Sequence, residues 1–304
     1  MDEQFAHPSA DSLLAEVRRL FENKPVFQKR DKPVLFLCGG PISPRSKNMR
    51  RAFLEWSKGH LPQMVILLAE DAFRHTKLYD PPETVNLSDF EELIGSIADC
   101  VLVFPESEGS FAELGFFSGG KLRKKVLVAN SVAYQTKESF VNLGPIKTID
   151  GFSFLSPTVQ VVKHHGRFDF SPVQERLGRL LERTNRKAFQ YASYKDLNYL
   201  GKLLVTLEMI NIFHFVTLAS LGDCIRTVFG NANMKELKRI LSILAGAGYL
   251  RIHDNYFSLE IDKGSLLEFD GVRIDDVKAR VLHYYQKHQG VIYRRFQVRY
   301  NARR

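Results

Sequence analysis

Short apolar runs alternate with segments of helical periodicity through the first half of the chain. The runs cover residues 33–38, 64–69, 100–104 and 125–129, and uninterrupted apolar runs of this length are typical of buried parallel strands. Helical connectors are predicted between them, over residues 46–58, 87–98 and 111–121. This alternation predicts an α/β fold with a Rossmann-like parallel sheet that is covered on both faces.

The second half has a different pattern. A basic amphipathic helix is predicted over residues 171–190, then apolar helices over 197–212, 218–229 and 234–245, then a short hairpin. Three helices and a hairpin, with a basic third helix, resemble a winged helix-turn-helix. Its third helix carries the candidate nucleic-acid or partner contacts Lys235, Lys238 and Arg239. Helix-turn-helix modules also dock proteins, so both kinds of contact stay open.

These patterns predict five consecutive segments. They are an N-terminal helical extension (1–30), the α/β domain (31–170), a basic linker helix (171–195), the winged helix-turn-helix-like domain (196–265) and a basic C-terminal helix or tail (266–304). A length of 304 residues, 44% hydrophobic and 25% charged, is ordinary for a globular protein with two cores.

Three carboxylates follow the third apolar run, namely Glu106, Glu108 and Glu113. The carboxyl end of a strand is where open α/β sheets bind ligands. Gly109 and Ser110 are expected to begin a helix and to offer its amides as an anion seat, with Glu113 about one turn further on. The alternative is that acidic residues only complement the dipole of the helix.

Glycines and another acid follow the first two runs. Gly39 and Gly40 come directly after residues 33–38, as in the opening turn of a mononucleotide-binding half, although a Gly-Gly pair is also a simple turn. The G-x-G-x-x-G fingerprint of dinucleotide binding is absent here. Asp71 follows the second run, where it either caps the next segment or serves the site.

Together these segments resemble a known family. Cys38-Gly39-Gly40, Ala69-Glu70-Asp71 and Gly109-Ser110-Phe111-Ala112-Glu113-Leu114-Gly115 are similar to the nucleoside deoxyribosyltransferase-like group. The N-glycosidase effectors of type II retron anti-phage systems share Phe-Leu-Cys-Gly-Gly, Phe-Pro-Glu-Ser-x-Gly-Ser-Phe-x-Glu-Leu-Gly and an Asn-x-Gly-Pro loop that begins here at Asn142. By motif the resemblance covers residues 30–150, and by domain order the whole chain.

The resemblance implies cleavage of the N-glycosidic bond of a nucleotide, with NAD the expected substrate and no cofactor. Glu113 holds the place of the nucleophile, because a carboxylate can trap an oxocarbenium-like centre. Asp71 matches the aspartate that helps the leaving base. The transferases tend to have an aspartate where this chain has Ser107, and Glu106 is the substitute that we assign. The substrate-binding candidates are Cys38, Gly39, Gly40, Gly109, Ser110 and Asn142.

Charge is unevenly spread along the chain. Residues 1–150 have a net charge of −1 and residues 151–304 one of +10, and residues 277–304 hold eight basic and no acidic residues. Such a tail, rich in aromatic residues, suits nucleic acid, although a solvated basic helix would look similar. Its candidate contacts are Arg294, Arg295 and Arg299.

The resemblance also implies partners: a retron reverse transcriptase and its msDNA, with the chain acting as a toxin in an oligomer within that complex. A non-enzymatic alternative is a nucleotide-sensing, DNA-binding regulator. The scattered Cys38, Cys100 and Cys224 predict buried free thiols and no metal site. His164 and His165 are expected in a surface loop. No signal peptide or membrane span is predicted, and the expected location is cytoplasmic.

Overall fold

The computed structural model describes residues 8–29, 32–76, 86–134, 138–182, 187–260 and 263–301. The helices are α1 (Pro8–Asn23), α2 (Met49–His60), α3 (Ala69–Thr76), α4 (Leu87–Ile97), α5 (Glu108–Ser118), α6 (Lys147–Phe152), α7 (Ser171–Leu181), α8 (Tyr199–Phe213), α9 (Leu218–Phe229), α10 (Met234–Gly246), α11 (Ile274–His288) and α12 (Gly290–Asn301). The strands are β1 (Val26–Gln28), β2 (Val34–Cys38), β3 (Val65–Leu67), β4 (Cys100–Val103), β5 (Val126–Ser131), β6 (Val159–His164), β7 (Arg167–Asp169), β8 (Lys187–Phe189), β9 (Leu250–His253), β10 (Tyr256–Leu259) and β11 (Leu267–Phe269).

The chain forms two compact units. The sheet unit comprises residues 31–71 and 86–184, and the helical unit comprises 1–30, 72–85 and 185–304. The N-terminal helix therefore groups with residues of the C-terminal half. The five consecutive segments expected from the sequence stay a prediction.

Six strands form the sheet of the sheet unit, in the order β3-β2-β4-β5-β6-β7. The first five are parallel, and only β7 runs antiparallel to its neighbour. This confirms the predicted α/β class and, for five of the six described strands, the predicted parallel sheet. The order reverses between β2 and β4, and at such a switch point the carboxyl ends of the strands open a crevice for ligands.

Alternating side chains of β2 pack on opposite faces of this sheet. Leu35 and Leu37 belong to a buried cluster with Phe53 of α2. Phe36 instead packs edge-on against Phe117 of α5, with ring centroids 5.9 Å apart. Because successive residues of a strand point to opposite faces, an all-apolar β2 requires helices on both sides, as the sequence predicted.

In the helical unit, α8 is buried along nearly its whole length. Helices α9 and α10 pack against it, and β9 pairs antiparallel with β10. The predicted order of three helices and a hairpin is therefore confirmed, while its assignment to the winged helix-turn-helix fold stays a prediction. Strand β1 lies between β11 and β8 in a second antiparallel sheet.

The helix predicted over residues 171–190 is shorter in the structure. It ends at Leu181, and residues 187–189 are the strand β8, paired with β1. The apolar and basic periodicity of that segment could not reveal a three-residue strand whose partner lies far away in sequence.

The smaller predictions can also be compared with the structure. All three cysteines are free and buried, as expected, and His164 and His165 are exposed at the β6–β7 turn. Within the described part of the chain, no helix combines the length and apolar character needed to cross a membrane.

Candidate active site

Two strand ends meet at the switch point of the sheet. Strand β2 ends at Cys38 and continues into Gly39 and Gly40, while β4 continues into Phe104 and the acidic segment. The backbone N–H of Phe104 donates to the carbonyl of Cys38 over 3.0 Å. The glycine pair and the glutamate segment therefore lie side by side, as their places after neighbouring strands require.

The carboxylate of Glu106 lies at the N-terminus of α2. It accepts hydrogen bonds from the backbone N–H groups of Met49 over 2.6 Å, Arg50 over 2.9 Å and Gly40 over 3.3 Å. Unpaired N–H groups and the helix dipole favour an anion at this place, and here the chain supplies one. The three bonds hold the loop after β4, the loop after β2 and the start of α2 together.

Gly39 and Gly40 are required by this packing. Gly39 has a φ of +153°, and a Cβ atom there would lie 2.9 Å from Cβ of Arg50 and 3.1 Å from Cβ of Phe104. A Cβ on Gly40 would lie 2.6 Å from Nδ2 of Asn48. Both positions therefore need glycine so that α2 can approach the strand end.

Helix α5 begins with a reciprocal serine cap. The Ser107 hydroxyl accepts from the N–H of Ser110 over 3.3 Å, and the Ser110 hydroxyl accepts from the N–H groups of Ser107 and Glu106 over 2.8 and 2.9 Å. Ser110 is fully buried, so direct contact between its hydroxyl and a ligand would require this cap to open. Gly109 faces open space, because a Cβ atom there would have no atom of the described chain within 4 Å beyond its sequence neighbours and the backbone of its own helix.

Glu113 follows one turn later on α5. It accepts a hydrogen bond from the backbone N–H of Gly39, while its buried Oε2 has no hydrogen-bond partner among the described residues. Burial raises the pKa of Glu113 to about 8; the charges of Glu91 and Glu70 add to this, and those of Arg50 and the Gly39 N–H oppose it. A carboxyl with an unused oxygen and a raised pKa is typical of a functional site.

A buried arginine stands among these carboxylates. Arg50 is only 4% exposed, and it donates to both oxygens of Glu70 over 2.6 and 2.8 Å and to the carbonyls of Leu37 over 2.9 Å and Gly40 over 3.3 Å. Glu91 of α4 is almost buried, and its burial, together with the charge of Glu70, raises its pKa to about 7. Among the described residues, the site is therefore a cluster in which the carboxyls of Glu70, Glu91 and Glu113 surround the guanidinium of Arg50.

The sequence singled out Glu70 only as part of a motif, and it did not single out Arg50 or Glu91. They come from α2, α3 and α4, far apart in sequence. Glu70 carried a usable signal, because like its neighbour Asp71 it follows a strand at the carboxyl edge of the sheet. For Arg50 and Glu91 no local pattern distinguishes them from other charged helix residues.

The remaining candidate residues lie near this edge of the sheet. Asp71 is half-buried in the first turn of α3. The thiol of Cys38 is buried, and burial, followed by the charge of Glu113, raises its pKa well above the ordinary range. Asn142 begins a π-helical turn, and its amide donates to the carbonyl of Tyr134 over 2.8 Å and faces the amide of Asn130 at 3.5 Å. Their roles toward a substrate stay predictions.

The basic candidates lie in the helical unit. On α10, Lys235 is exposed, and Lys238 and Arg239 are half-buried. On α12, Arg294 is exposed, whereas Arg295 pairs with Asp254 over 3.1 Å. The side chain of Arg299 lies outside the described part of the structure.

The absence of acids in the tail does not leave all of its described cations unpaired. Besides the Arg295–Asp254 pair, Arg280 forms an ion pair with Glu16 of α1, and Lys278 lies 3.5 Å from Asp275. These partners come from segments before residue 277, which a count over the tail alone could not include.

Comparison with known proteins gives consistent matches. The family model described as "STM3845 retron effector protein" matches residues 46–252. The Escherichia coli "Retron Ec73 putative ribosyltransferase/DNA-binding protein" is 34% identical over 120 residues, which are 39% of this chain and 38% of that protein. Its Retron Ec86 counterpart, from the same organism and with the same description, is 31% identical over 123 residues, 40% of this chain and 39% of that protein.

Proposed function

This chain belongs to the STM3845 retron effector family, and we propose that it is an N-glycosidase that cleaves NAD through Glu113. The observation that carries the proposal is the state of this side chain. Glu113 lies at the switch point, bonded to the N–H of Gly39, with one buried oxygen that nothing in the described chain uses. The ribosyltransferase wording in the descriptions of the two relatives supports the same class of chemistry.

The proposed reaction has two steps. A carboxylate oxygen of Glu113 attacks C1′ of the nicotinamide ribose, and the C1′–N1 bond breaks with its electron pair passing to N1. Water then attacks C1′ and loses a proton to solvent or to a neighbouring carboxylate. The ester to Glu113 breaks, and ADP-ribose leaves. Two displacements on opposite faces of the sugar retain its configuration.

The environment of Glu106 supports NAD as the substrate. The nicotinamide of NAD carries a positive charge, so it leaves as a neutral molecule and needs no proton. The sequence makes Glu106 the candidate for the acid that protonates a leaving base, yet its two oxygens accept three backbone N–H bonds. A carboxylate held in this way is suited to positioning the loop, and a substrate that needs no acid fits this arrangement.

The raised pKa of Glu113 suits a cationic substrate. Burial and the nearby carboxyls make the ionised form of Glu113 costly in the free protein. A pyridinium ribose, and still more the oxocarbenium-like transition state, brings positive charge to the carboxylate and offsets that cost. An interaction that strengthens toward the transition state accelerates the reaction. Gly109 leaves the first turn of α5 open beside this carboxylate, which gives phosphate groups access to backbone amides.

The direct test is release of nicotinamide from NAD by the purified chain, alone and with its reverse transcriptase and msDNA. We expect nicotinamide and ADP-ribose in equal amounts. A chain that is inactive in both states toward NAD, yet active toward another nucleotide, would overturn the substrate assignment and keep the class of reaction.

We further propose that the reverse transcriptase and msDNA bind through the basic residues of α10 and α12. Among those on α12, Arg294 is the strongest candidate because it is exposed, while Arg295 is paired with Asp254. Reversing the charge of Arg294 and Arg299 should weaken recovery of msDNA in a pull-down, most at low salt, and should make that recovery depend less steeply on salt. NAD cleavage by the isolated chain should stay unchanged. Equal recovery at every salt concentration would contradict the contact.

The non-enzymatic regulator makes a different prediction at the same site. A nucleotide sensor would bind NAD without consuming it. Three carboxyls around the proposed site disfavour the binding of a nucleotide's phosphates. A catalytic role explains why the chain keeps this cost, whereas a sensor would gain nothing from it. Recovery of unchanged NAD from a tight complex would support the regulator and contradict the glycosidase.

A further inference from the structure

A second concave site lies on the sheet unit and shares no lining residue with the carboxyl cluster. It is a cavity of about 430 Å³ between α2 with its preceding loop and the β6–β7 hairpin. Pockets of roughly 300–1,000 Å³ are of the size that holds small ligands. Neither the proposed reaction nor the proposed contacts of α10 and α12 use this cavity.

Basic side chains line the cavity on two sides. Lys47 and Arg51 come from the start of α2 and the loop before it, and Lys163 and Arg167 come from the two strands of the hairpin. Lys47, Lys163 and Arg167 are exposed, and none of them has an ion-pair partner among the described residues.

This positive charge is local. Residues 31–71 and 86–184 together hold 17 Lys and Arg and 16 Asp and Glu, so the sheet unit as a whole is nearly neutral. The acid lining the cavity is Glu55, and its carboxylate pairs with Lys58 over 2.8 Å. Among the described lining residues, four cations against one engaged acid therefore favour an anionic ligand.

Aromatic rings accompany these cations. Trp56 and Phe168 are half-buried and line the same cavity. Nζ of Lys163 lies 4.9 Å from the centre of the Phe168 ring, and Trp56 is stacked on His60 with centroids 4.2 Å apart. Rings already held in place lose little freedom when a flat ligand stacks on them.

The loop before α2 is held firmly at the rim. The guanidinium of Arg51 donates to the carbonyls of Ser43 over 2.5 Å and Ser46 over 3.1 Å, and Asn48 caps the helix by accepting from the N–H of Arg51 over 3.0 Å. The Arg51 side of the rim is therefore preorganised, which lowers the entropic cost of binding there.

We propose that this cavity binds one nucleotide of a single-stranded nucleic acid, with the phosphates against the four cations and the base against the aromatic rings. Proteins usually bind single-stranded nucleic acids by neutralising the phosphate backbone and by stacking the bases on aromatic side chains. A paired base cannot present its face to a ring, so a duplex should bind less well. A free nucleotide brings the same chemistry with fewer phosphates. The proposal is independent of the glycosidase reaction, because it uses none of the carboxyl cluster.

The chain carries its own reporter for this cavity. Its single tryptophan is Trp56, so a change in tryptophan fluorescence reports on this place alone. We expect a single-stranded thymidine oligonucleotide to quench the emission of the full chain saturably. The same strand in a duplex, and thymidine monophosphate at equal nucleotide concentration, should quench at least about tenfold less effectively.

Two matched double variants test the cations. Lys163→Glu with Arg167→Glu should raise the dissociation constant of the oligonucleotide about tenfold and reduce the slope of log affinity against log salt by about 2. Lys121→Glu with Lys124→Glu changes the same charge at exposed positions elsewhere on the sheet unit. This control pair should leave both quantities unchanged.

Three results would overturn the proposal. They are no quenching by the oligonucleotide, an equal loss of affinity in the two double variants, and quenching by the free nucleotide as strong as by the strand. Activity toward NAD should be the same in the double variants and the wild type. A failure of this proposal is thus distinguishable from a failure of the glycosidase assignment.

Discussion

Glu106 and Glu113 are seven residues apart on one strand-to-helix segment, yet their surroundings differ. Glu106 lies at the start of α2 and accepts three backbone N–H bonds. Glu113 accepts one from Gly39, and its Oε2 is buried without a partner in the described chain. A satisfied carboxylate contributes to structure, whereas an unsatisfied one is a cost that folding alone does not explain. Under the proposed function, this difference fits a positioning role for Glu106 and a reacting role for Glu113.

Of the changes that test this comparison, replacing Glu113 should have the largest effect, and that effect is on NAD cleavage. Glu113→Gln removes the proposed nucleophile and keeps the size and shape of the side chain, and we expect NAD cleavage to fall by about 10³-fold or more, about 4 kcal/mol of barrier. Nicotinamide release measured by chromatography checks this. The control Glu108→Gln changes an exposed acid of the same helix and should cleave NAD at the wild-type rate. Similar activity in the two variants would contradict the assignment.

The pH dependence should be the next largest effect. A nucleophile must be ionised, so kcat/KM should rise about 50-fold between about pH 6 and pH 8 if the pKa of Glu113 in the free protein is about 8. If Glu113 acted instead as a general acid, kcat/KM would fall as pH rises.

A matched pair on α4 tests whether Glu113 sets that slope. Glu91→Gln removes a neighbouring carboxyl that helps to raise the pKa of Glu113, so it should move the midpoint of the profile to lower pH. Glu92→Gln, at an exposed position of the same helix, should not. A midpoint unmoved by either variant would mean that another group controls the profile.

Replacing Glu106 should act mainly on stability. Charge-assisted bonds to backbone N–H groups contribute about 1.5–3 kcal/mol each, and Glu106→Gln weakens three of them, so Tm should fall by several degrees. Activity should fall about tenfold through the displaced loop. If Glu106 acted as the acid, its loss would hurt poor leaving groups far more than good ones. Comparing NAD with a nucleotide whose neutral base needs protonation decides between these roles.

The smallest expected effect is a gain in the stability of the folded state when Glu113 is replaced by glutamine. The carboxyl of Glu113 keeps its proton in the folded chain up to about pH 8 but loses it in the unfolded chain above its ordinary value of 4.5. The folded state therefore loses stability as pH rises between these values. Glu113→Gln should raise Tm by a few degrees near pH 8.5 and very little near pH 5, measured by calorimetry. A decrease at both pH values would mean that Glu113 stabilises the fold.

The sequence predicted much of the sheet unit because its signals are local. Apolar runs located β2, β4 and β5 to within a few residues, and the glycine pair and the glutamate segment pointed to the edge of the sheet where Glu113 lies. The sheet of β1, β8 and β11 was missed because each strand has three residues and pairs only with distant segments. Arg50 and Glu91 were missed for a similar reason, since only the folded sheet brings α2, α4 and α5 around one point.

The most direct measurement is a search for the covalent intermediate. A 2′-fluorinated NAD analogue slows both steps of the reaction, because fluorine destabilises the oxocarbenium-like transition state. Peptide mass spectrometry after brief incubation should find the substrate, less nicotinamide, attached to Glu113 and absent in Glu113→Gln. Turnover of the analogue with no adduct, or with an adduct on Glu106 or Asp71, would contradict Glu113 as the nucleophile.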